Sequence, residues 1–123
     1  MDKIKVTWEQ VEEYINQVIL NTKDKQFTGV YGVPRGGLIL ATLLSYKLNI
    51  PLLMAPCKGC IIVDDIADSG RTLMHFTQND TQFNKYFITT MFICERSAVK
   101  PDFSMYNKED SWIIYPWEDE NEI

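Results

Sequence analysis

The apolar residues of this chain recur at two spacings, one helical and one strand-like. Thr7 and Gln10 match a capping box, and apolar side chains follow at helical spacing between Val11 and Ile19. This pattern predicts a first helix, with Thr7 as its N-cap, that ends near residue 21. A second helix is predicted over 38–48, where most of the surface is apolar, and a short third helix over 71–78.

Short β-rich or apolar segments separate these helices. They predict strands over 28–33, 50–55, 61–64, 86–94 and 111–115. Because strands alternate with helices, we expect a parallel sheet, and the continuous apolar runs indicate that helices cover both of its faces. The sequence therefore predicts one α/β domain over residues 1–123, with a central, mainly parallel sheet flanked by helices.

Composition and charge argue against several classes of protein. A chain of 123 residues with 46% apolar and 24% charged residues is typical of a soluble globular domain. The net charge of −5, without a Lys/Arg-rich stripe, argues against nucleic-acid binding. No apolar run approaches the ~18 residues of a membrane span, and the polar N-terminus does not match a signal peptide. We expect a cytoplasmic protein without a membrane partner, whose acidic tail at 118–122 is solvated.

The three cysteines suit a reducing compartment. Cys57 and Cys60 form a lone CxxC pair, which with His75 and Cys94 makes a poor set of four zinc ligands. A thioredoxin-type motif opens a helix, whereas Cys60 begins a predicted strand. The favoured interpretation is a tight turn with Cys60 facing the core, and redox or metal chemistry is a minor alternative. His75, inside the third helix, is interpreted as a surface or packing residue.

The loop before the third helix has the residue types that bind phosphate. A small-residue loop at a helix N-terminus presents unpaired N–H groups and the positive end of the helix dipole. Ser69 and Thr72 add hydroxyl donors, and Gly70 allows close approach of the backbone. A plain N-cap by Asp68 or Ser69 explains this loop equally well. The segment that we call the phosphate loop consists of Asp68, Ser69, Gly70, Arg71 and Thr72.

Two adjacent carboxylates, Asp64 and Asp65, lie just upstream of the phosphate loop at the end of a predicted buried strand. They repel each other and are costly to desolvate unless a cation or hydroxyl groups meet them. Ribose hydroxyls and a hydrated Mg²⁺ both satisfy this requirement. A phosphate site together with acids that bind a diol predicts a ribose 5-phosphate ligand.

Three segments resemble those of a known family. CIIVDDIADSGRT, at residues 60–72, resembles the phosphoribosyl pyrophosphate (PRPP) motif of the type I phosphoribosyltransferases. GVPRGGL, at 32–38, resembles their pyrophosphate loop. WIIYPWE, at 112–118, is similar to a segment of bacterial xanthine-guanine and archaeal hypoxanthine enzymes. The resemblance covers almost the whole chain and implies a type I phosphoribosyltransferase fold, and Asp68 favours the 6-oxopurine branch.

The resemblance also implies roles for the residues of the PRPP motif. Asp68 would hydrogen-bond purine N7 and serve as the catalytic general acid/base, while the phosphate loop holds the 5′-phosphate. Asp64 and Asp65 would bind the ribose hydroxyls and, indirectly, Mg²⁺. Mg²⁺ is therefore the expected cofactor.

The other two segments would complete the site. Arg35, Gly36 and Gly37 would bind the leaving pyrophosphate, and the Pro34–Arg35 bond is a candidate cis peptide. In the base site, Trp112 would stack on the purine and the Ile113 backbone would contact its edge. Without the other motifs, Trp112 and Trp117 would be interpreted as core aromatic residues.

This sequence departs from the family in two places. A long excursion that includes a flexible closing loop is replaced by the four residues 56–59, so an enzyme of this kind should be slow or leaky unless a partner subunit covers the site. A lysine that donates to the purine 6-oxo group is replaced at or beside Cys94, whose thiol is a weak donor. Arg96 is an alternative source of charge, or the base specificity has changed, and Glu95 would repel an oxygen.

The leading hypothesis is a purine phosphoribosyltransferase that transfers ribose 5-phosphate from PRPP to guanine, xanthine or hypoxanthine, with pyrophosphate as the second product. The alternative is a weak or inactive PRPP- or nucleotide-binding regulatory protein on the same fold. Another acceptor base is disfavoured by Asp68. The expected partners are PRPP and a purine base, and the resemblance implies a homo-oligomer, either a dimer or a tetramer.

Overall fold

The computed structural model describes residues 2–78 and 86–119. These residues form three helices and seven strands. In chain order they are β1 (Lys3–Lys5), α1 (Trp8–Thr22), β2 (Val30–Gly32), α2 (Gly36–Leu48), β3 (Leu52–Leu53), β4 (Ile61–Ala67), α3 (Arg71–Gln78), β5 (Phe87–Ile93), β6 (Phe103–Asn107) and β7 (Trp112–Ile114).

The main sheet has five strands in the order β3-β2-β4-β5-β6, and each neighbouring pair is parallel. The central strand β4 pairs with β2 through Val30 and Ile61, and with β5 through Ile61 and Phe87. A second, two-stranded parallel sheet joins β1 to β7. The predicted parallel α/β architecture is confirmed.

The two faces of the main sheet bury different residues of β4. Ile61 and Val63 belong to the larger core cluster, together with apolar residues of α1 and α2 such as Tyr14 and Leu40. Ile62 packs on the opposite face, in a second cluster that includes Leu73 of α3. Each such side chain contributes about 1.5–3 kcal/mol when it is fully buried. Helices therefore cover both faces, as the apolar runs predicted.

Several predicted boundaries were wrong. The strand predicted over 61–64 continues to Ala67, so Asp64 and Asp65 lie inside β4 and not at its end. The reason is that backbone pairing with β5 continues past the two aspartates to Ala67 and Ile93. The second helix begins at Gly36, two residues earlier than predicted, and β2 and β3 are shorter than the predicted strands.

Two strands, β1 and β6, were not predicted. Both mix polar and apolar residues in a short span, KIK and FSMYN, so neither has a continuous apolar run. The predicted capping box of α1 is confirmed, because the Thr7 hydroxyl accepts from the Gln10 N–H and the Gln10 side chain accepts from the Thr7 N–H. Within the described residues, each helix is too short or too polar to span a bilayer.

The cysteines follow the favoured interpretation. Cys60 is buried directly before β4, while Cys57 is exposed, and the Cys60 N–H donates to the Cys57 carbonyl in a tight turn. Across residues 2–78 and 86–119, no group of three or more His, Cys, Asp or Glu side chains could hold a metal ion. Of the acidic tail that we predicted to be solvated, residues 120–122 lie outside the described residues.

Candidate active site

Two predicted site segments meet at the edge where the parallel strands end, which we call the carboxyl edge. The segment after β2 lies against β4, because the Val33 N–H donates to the Val63 carbonyl at 2.9 Å. A methyl group on Gly36 would overlap the Asp65 carboxylate, and one on Gly37 would overlap the Val63 carbonyl. Glycines at these positions therefore allow the start of α2 to pack directly on β4.

Three adjoining cavities line the carboxyl edge. The Arg35 cavity, of about 510 Å³, and the Trp112 cavity, of about 250 Å³, share Asp65 and Glu118 in their walls. The Trp112 cavity in turn shares Asp68 with the phosphate-loop cavity, which measures about 110 Å³. The three cavities therefore form a row. Asp65 lies between the Arg35 and Trp112 cavities, and Asp68 lies between the Trp112 and phosphate-loop cavities.

All five residues of the phosphate loop line its cavity. Gly70 has φ of +83°, and a methyl group there would lie 2.7 Å from the Ser97 hydroxyl. The Ala98 N–H donates to the Ser69 carbonyl at 2.8 Å, so the loop is fixed against the segment after β5. The Ser69 hydroxyl accepts from the Arg71 N–H at 3.3 Å, within the loop itself. The loop therefore both begins α3 and forms an open cavity.

Asp64 and Asp65 are half-buried in the central strand. The Asp65 N–H donates to the Asp64 carboxylate at 2.8 Å, and the Asp65 carbonyl accepts from the Tyr115 hydroxyl at 2.8 Å. Burial, followed by the side-chain hydrogen bond and the charge of Asp65, raises the pKa of Asp64 to about 8. At neutral pH this carboxyl is therefore mostly protonated unless a positive charge is present.

The residues of the Arg35 cavity fit a magnesium ion that is shared with a ligand. Asp65, Glu118 and Asp119 face a single guanidinium, Arg35, within its lining. A polyanionic ligand would be repelled there unless a cation accompanied it. Mg²⁺ is commonly bound through one or two carboxylates plus substrate oxygens and water, so Asp65 with one neighbouring carboxylate of this lining is sufficient. Asp64 lines the phosphate-loop cavity instead.

Asp68, the predicted acid/base, forms an ion pair that the sequence motifs did not reveal. The Nε and Nη2 atoms of Arg96 lie 3.0 and 2.7 Å from Asp68 Oδ1. Both side chains are partly exposed, at 63% for Arg96 and 45% for Asp68, so solvent screens the attraction. The contact fixes the orientation of the Asp68 carboxylate, and it engages the Arg96 guanidinium.

The two C-terminal tryptophans have different environments. Trp112 is 43% exposed and lines the Trp112 cavity. Trp117 stacks on Tyr115, with ring centroids 4.6 Å apart and an interplanar angle of 12°, and packs against the main core. Ile113 also lines the cavity, although its side chain is buried. Trp112 is therefore open to a flat ligand, whereas Trp117 is a packing residue.

The remaining predicted residues lie at the start of α2. Arg35 is exposed and occupies the N-cap position, and Gly36 and Gly37 form the first turn. The Pro34–Arg35 peptide is cis, which matches the candidate named from the sequence. The side chain of Arg35 and the N-terminal amides of α2 both lie beside the Arg35 cavity, and such amides favour anions.

Lys108 is a charged cavity residue that the sequence analysis missed. It follows β6 directly, lines the Trp112 cavity and donates from Nζ to the Ser111 carbonyl at 3.0 Å. The only signal that could have found it is β6 itself, because a strand there would have put Lys108 at the carboxyl edge. The Asp68–Arg96 contact spans 28 residues, and only the folded chain brings the two side chains together.

In fold and in sequence the chain is similar to known purine phosphoribosyltransferases. The solved structure of a purine phosphoribosyltransferase from Pyrococcus horikoshii matches with a TM-score of 0.83 and 29% identity, over 97% of this chain and 95% of that one. The Helicobacter pylori xanthine-guanine-hypoxanthine phosphoribosyltransferase shares the fold, with a TM-score of 0.77 and 19% identity over 96% and 93% of the two chains. The chain matches no protein-family model.

Curated relatives agree with these structures. The xanthine-guanine phosphoribosyltransferase of Chromohalobacter salexigens is 23% identical over 135 residues, which cover 92% of this chain and 82% of the relative. That of Nitratidesulfovibrio vulgaris is 24% identical over 139 residues, at 94% and 84% coverage. The predicted resemblance to the type I phosphoribosyltransferases is confirmed, and so is the predicted enzyme class.

The connection before β4 is short. In this chain β3 ends at Leu53 and β4 begins at Ile61. The connection therefore has no room for a long closing loop.

Proposed function

We propose that this protein transfers ribose 5-phosphate from PRPP to a 6-oxopurine, guanine, xanthine or hypoxanthine, and forms a nucleoside monophosphate and pyrophosphate. The observation that carries the proposal is the row of three adjoining cavities, with Asp65 and Asp68 at its two boundaries. PRPP has a phosphate, a ribose and a pyrophosphate, and the base must enter beside the ribose. The row offers a compartment of suitable chemistry for each group.

The phosphate loop binds the 5′-phosphate in this proposal. The N–H groups at the start of α3 and the hydroxyls of Ser69 and Thr72 are its donors. Asp64 and Asp65, on the strand behind, accept hydrogen bonds from the ribose hydroxyls. They would also hold Mg²⁺, which when bound neutralises charge on the pyrophosphate.

The base binds in the Trp112 cavity, where Trp112 stacks on one face of the purine. Asp68 lies at the boundary with the phosphate loop and accepts the N7 proton, for which it must exchange part of its contact with Arg96. The Ile113 backbone contacts the edge of the ring.

Transfer proceeds by attack of purine N9 on ribose C1′. The N9–C1′ bond forms, the bond from C1′ to the pyrophosphate oxygen breaks, and the base proton passes to Asp68. Positive charge develops on the ribose ring, so catalysis depends on alignment and on stabilising the departing pyrophosphate. Arg35 and the N-terminal amides of α2 supply that stabilisation.

A nucleotide-binding protein without useful turnover is the second candidate. The short connection between β3 and β4 favours it, because a covered site excludes water and aligns the reacting groups.

The test is product formation from PRPP and Mg²⁺ with guanine, hypoxanthine and xanthine in parallel, for the wild type and Asp68→Asn. We expect turnover with at least one base and a 10²–10⁴-fold lower kcat in the variant, the usual range for loss of an acid/base. Nucleotide binding by calorimetry without turnover would favour the second candidate. Neither turnover nor binding would contradict the site itself.

We further propose a cytoplasmic homo-oligomer, either a dimer or a tetramer. Three free cysteines support a reducing compartment. Large exposed apolar side chains, among them Tyr46 at 83% and Met54 at 93% exposure, support contact between copies. A monomeric mass by sedimentation would contradict the oligomer.

A further inference from the structure

Among the described residues, the lining of the Trp112 cavity contains one cationic donor for an oxygen atom on the purine ring. Among the described residues that line it, the charged ones are Asp65, Asp68, Glu118 and Lys108. A ring carbonyl oxygen is a hydrogen-bond acceptor, so the three carboxylates would repel it. Lys108 is the one cation in this set, and an ammonium group is a strong donor toward a carbonyl.

The backbone of Lys108 is fixed by the sheet. Its N–H donates to the Ile93 carbonyl at 2.9 Å, which ties the residue to the end of β5. Its side chain is half-buried, and Nζ donates to the Ser111 carbonyl at 3.0 Å. Ser111 directly precedes Trp112, so the ammonium is held beside the residue proposed to stack on the base. An ammonium has three N–H donors, so this bond is compatible with a second one to a ligand.

The two residues considered earlier for this role are engaged elsewhere. Cys94 is buried, and its thiol lies 3.8 Å from the Glu109 carbonyl. Arg96 is bound to Asp68 through two nitrogens. Among the described residues, neither of the two lines the Trp112 cavity, whereas Lys108 does.

Resting on the proposed function, we infer that Lys108 selects purines with a 6-oxo group by donating a hydrogen bond from Nζ to O6. O6 and N7 lie on the same edge of the purine. A residue that donates to O6 must therefore lie in the same cavity as the residue that accepts the N7 proton. Lys108 and Asp68 satisfy this condition. A 6-amino group would bring its own N–H donors toward the ammonium, and such a base is therefore rejected.

The test compares inosine 5′-monophosphate and adenosine 5′-monophosphate by calorimetric titration. These nucleotides differ in the 6-substituent and in the proton that the 6-oxo base carries on N1. The wild type is expected to bind the inosine nucleotide at least about tenfold more tightly, and Lys108→Met should reduce that ratio about tenfold. Lys100→Met is the matched control, since Lys100 Nζ donates to the Glu95 carbonyl at 2.9 Å outside the cavity. Its ratio should equal that of the wild type.

The outcomes separate this inference from the proposed function. An unchanged ratio in Lys108→Met, including an equal loss for both nucleotides, would show a purely structural role and would overturn the inference. Lys108→Gln serves the same purpose if the methionine variant does not fold. A wild type that binds both nucleotides equally would also overturn the inference but not nucleotide binding. A wild type that binds neither would overturn the proposed function.

Discussion

Asp64 illustrates how position in the sheet changes the proton affinity of a carboxyl group. It lies in the central strand, next to Asp65 in sequence, and its pKa is raised to about 8 by burial and by that neighbour. In the unfolded chain an aspartate titrates near pH 4. Between these two values the folded protein binds more protons than the unfolded chain. The contribution of Asp64 to stability is therefore full below about pH 4 and is lost as the pH rises toward 8.

Because the stabilising contribution of Asp64 falls as the pH rises, the wild type should differ from Asp64→Asn, whose side chain is neutral at every pH. From pH 5 to pH 8 the free energy of unfolding of the wild type should fall, relative to the variant, by at least about 1 kcal/mol, since each pKa unit corresponds to about 1.4 kcal/mol. Denaturant titrations at both pH values give the difference. The exposed Asp24→Asn is the control. Wild-type and Asp64→Asn stabilities that change in parallel would contradict the account.

At the scale of elements, the phosphate loop depends on its contact with the segment after β5. Gly70 combines a positive φ with a position where a methyl group would meet the Ser97 hydroxyl and the backbone N–H groups of Ala98 and Val99. A side chain there requires the loop to move, because backbone atoms cannot give way as a flexible side chain does. The geometry of the phosphate loop is thus coupled to the β5–β6 connection.

We predict that Gly70→Ala lowers the affinity for guanosine 5′-monophosphate at least about tenfold and destabilises the fold by about 1–3 kcal/mol. Gly59→Ala is the matched control, because Gly59 also has a positive φ, of +75°, but its nearest neighbour atom would lie 3.7 Å from the added methyl. The control should lose stability yet keep its nucleotide affinity. Calorimetry and denaturant titration measure the two effects. Equal affinities for Gly70→Ala and the wild type would refute the phosphate site.

Features set by neighbouring residues were predicted from the sequence, whereas features set by tertiary packing were not. Local sequence patterns predicted three features, because each depends on residues that are neighbours in the chain: the phosphate loop, the paired aspartates and the parallel α/β architecture. Strand β6 was not predicted, because its sequence FSMYN mixes polar and apolar residues and has no continuous apolar run. Lys108, which follows this strand, was missed for the same reason. The Asp68–Arg96 pair was missed because it depends on tertiary packing between distant segments.

At the scale of the whole molecule, the distribution of charge predicts that ligand binding depends on a cation. The chain carries a net charge of −5, and the Arg35 cavity sets three carboxylates beside one guanidinium. PRPP binding should therefore weaken at least about tenfold when Mg²⁺ is removed with a chelator, since repulsion is then unscreened within the site. Calorimetry with and without Mg²⁺ measures this effect. Equal affinity in both conditions would contradict a role for the carboxylates in holding a cation.

The openness of the site is the second property of the whole molecule. The connection from Leu53 to Ile61 is too short to fold over the row of cavities, so water has access to the ribose. In the proposed mechanism Trp112 and Asp68 would hold the purine beside C1′, so we expect transfer to the base to exceed hydrolysis. Transfer and hydrolysis of PRPP both release pyrophosphate, but they differ in the fate of the ribose.

The most direct test is phosphorus NMR of PRPP, Mg²⁺ and guanine incubated with the wild-type protein. The account predicts that nucleoside monophosphate and pyrophosphate appear in equal amounts, with ribose 5-phosphate as a minor product. Unchanged PRPP, or pyrophosphate accompanied by ribose 5-phosphate alone, would contradict the claim that this chain transfers ribose 5-phosphate to a purine.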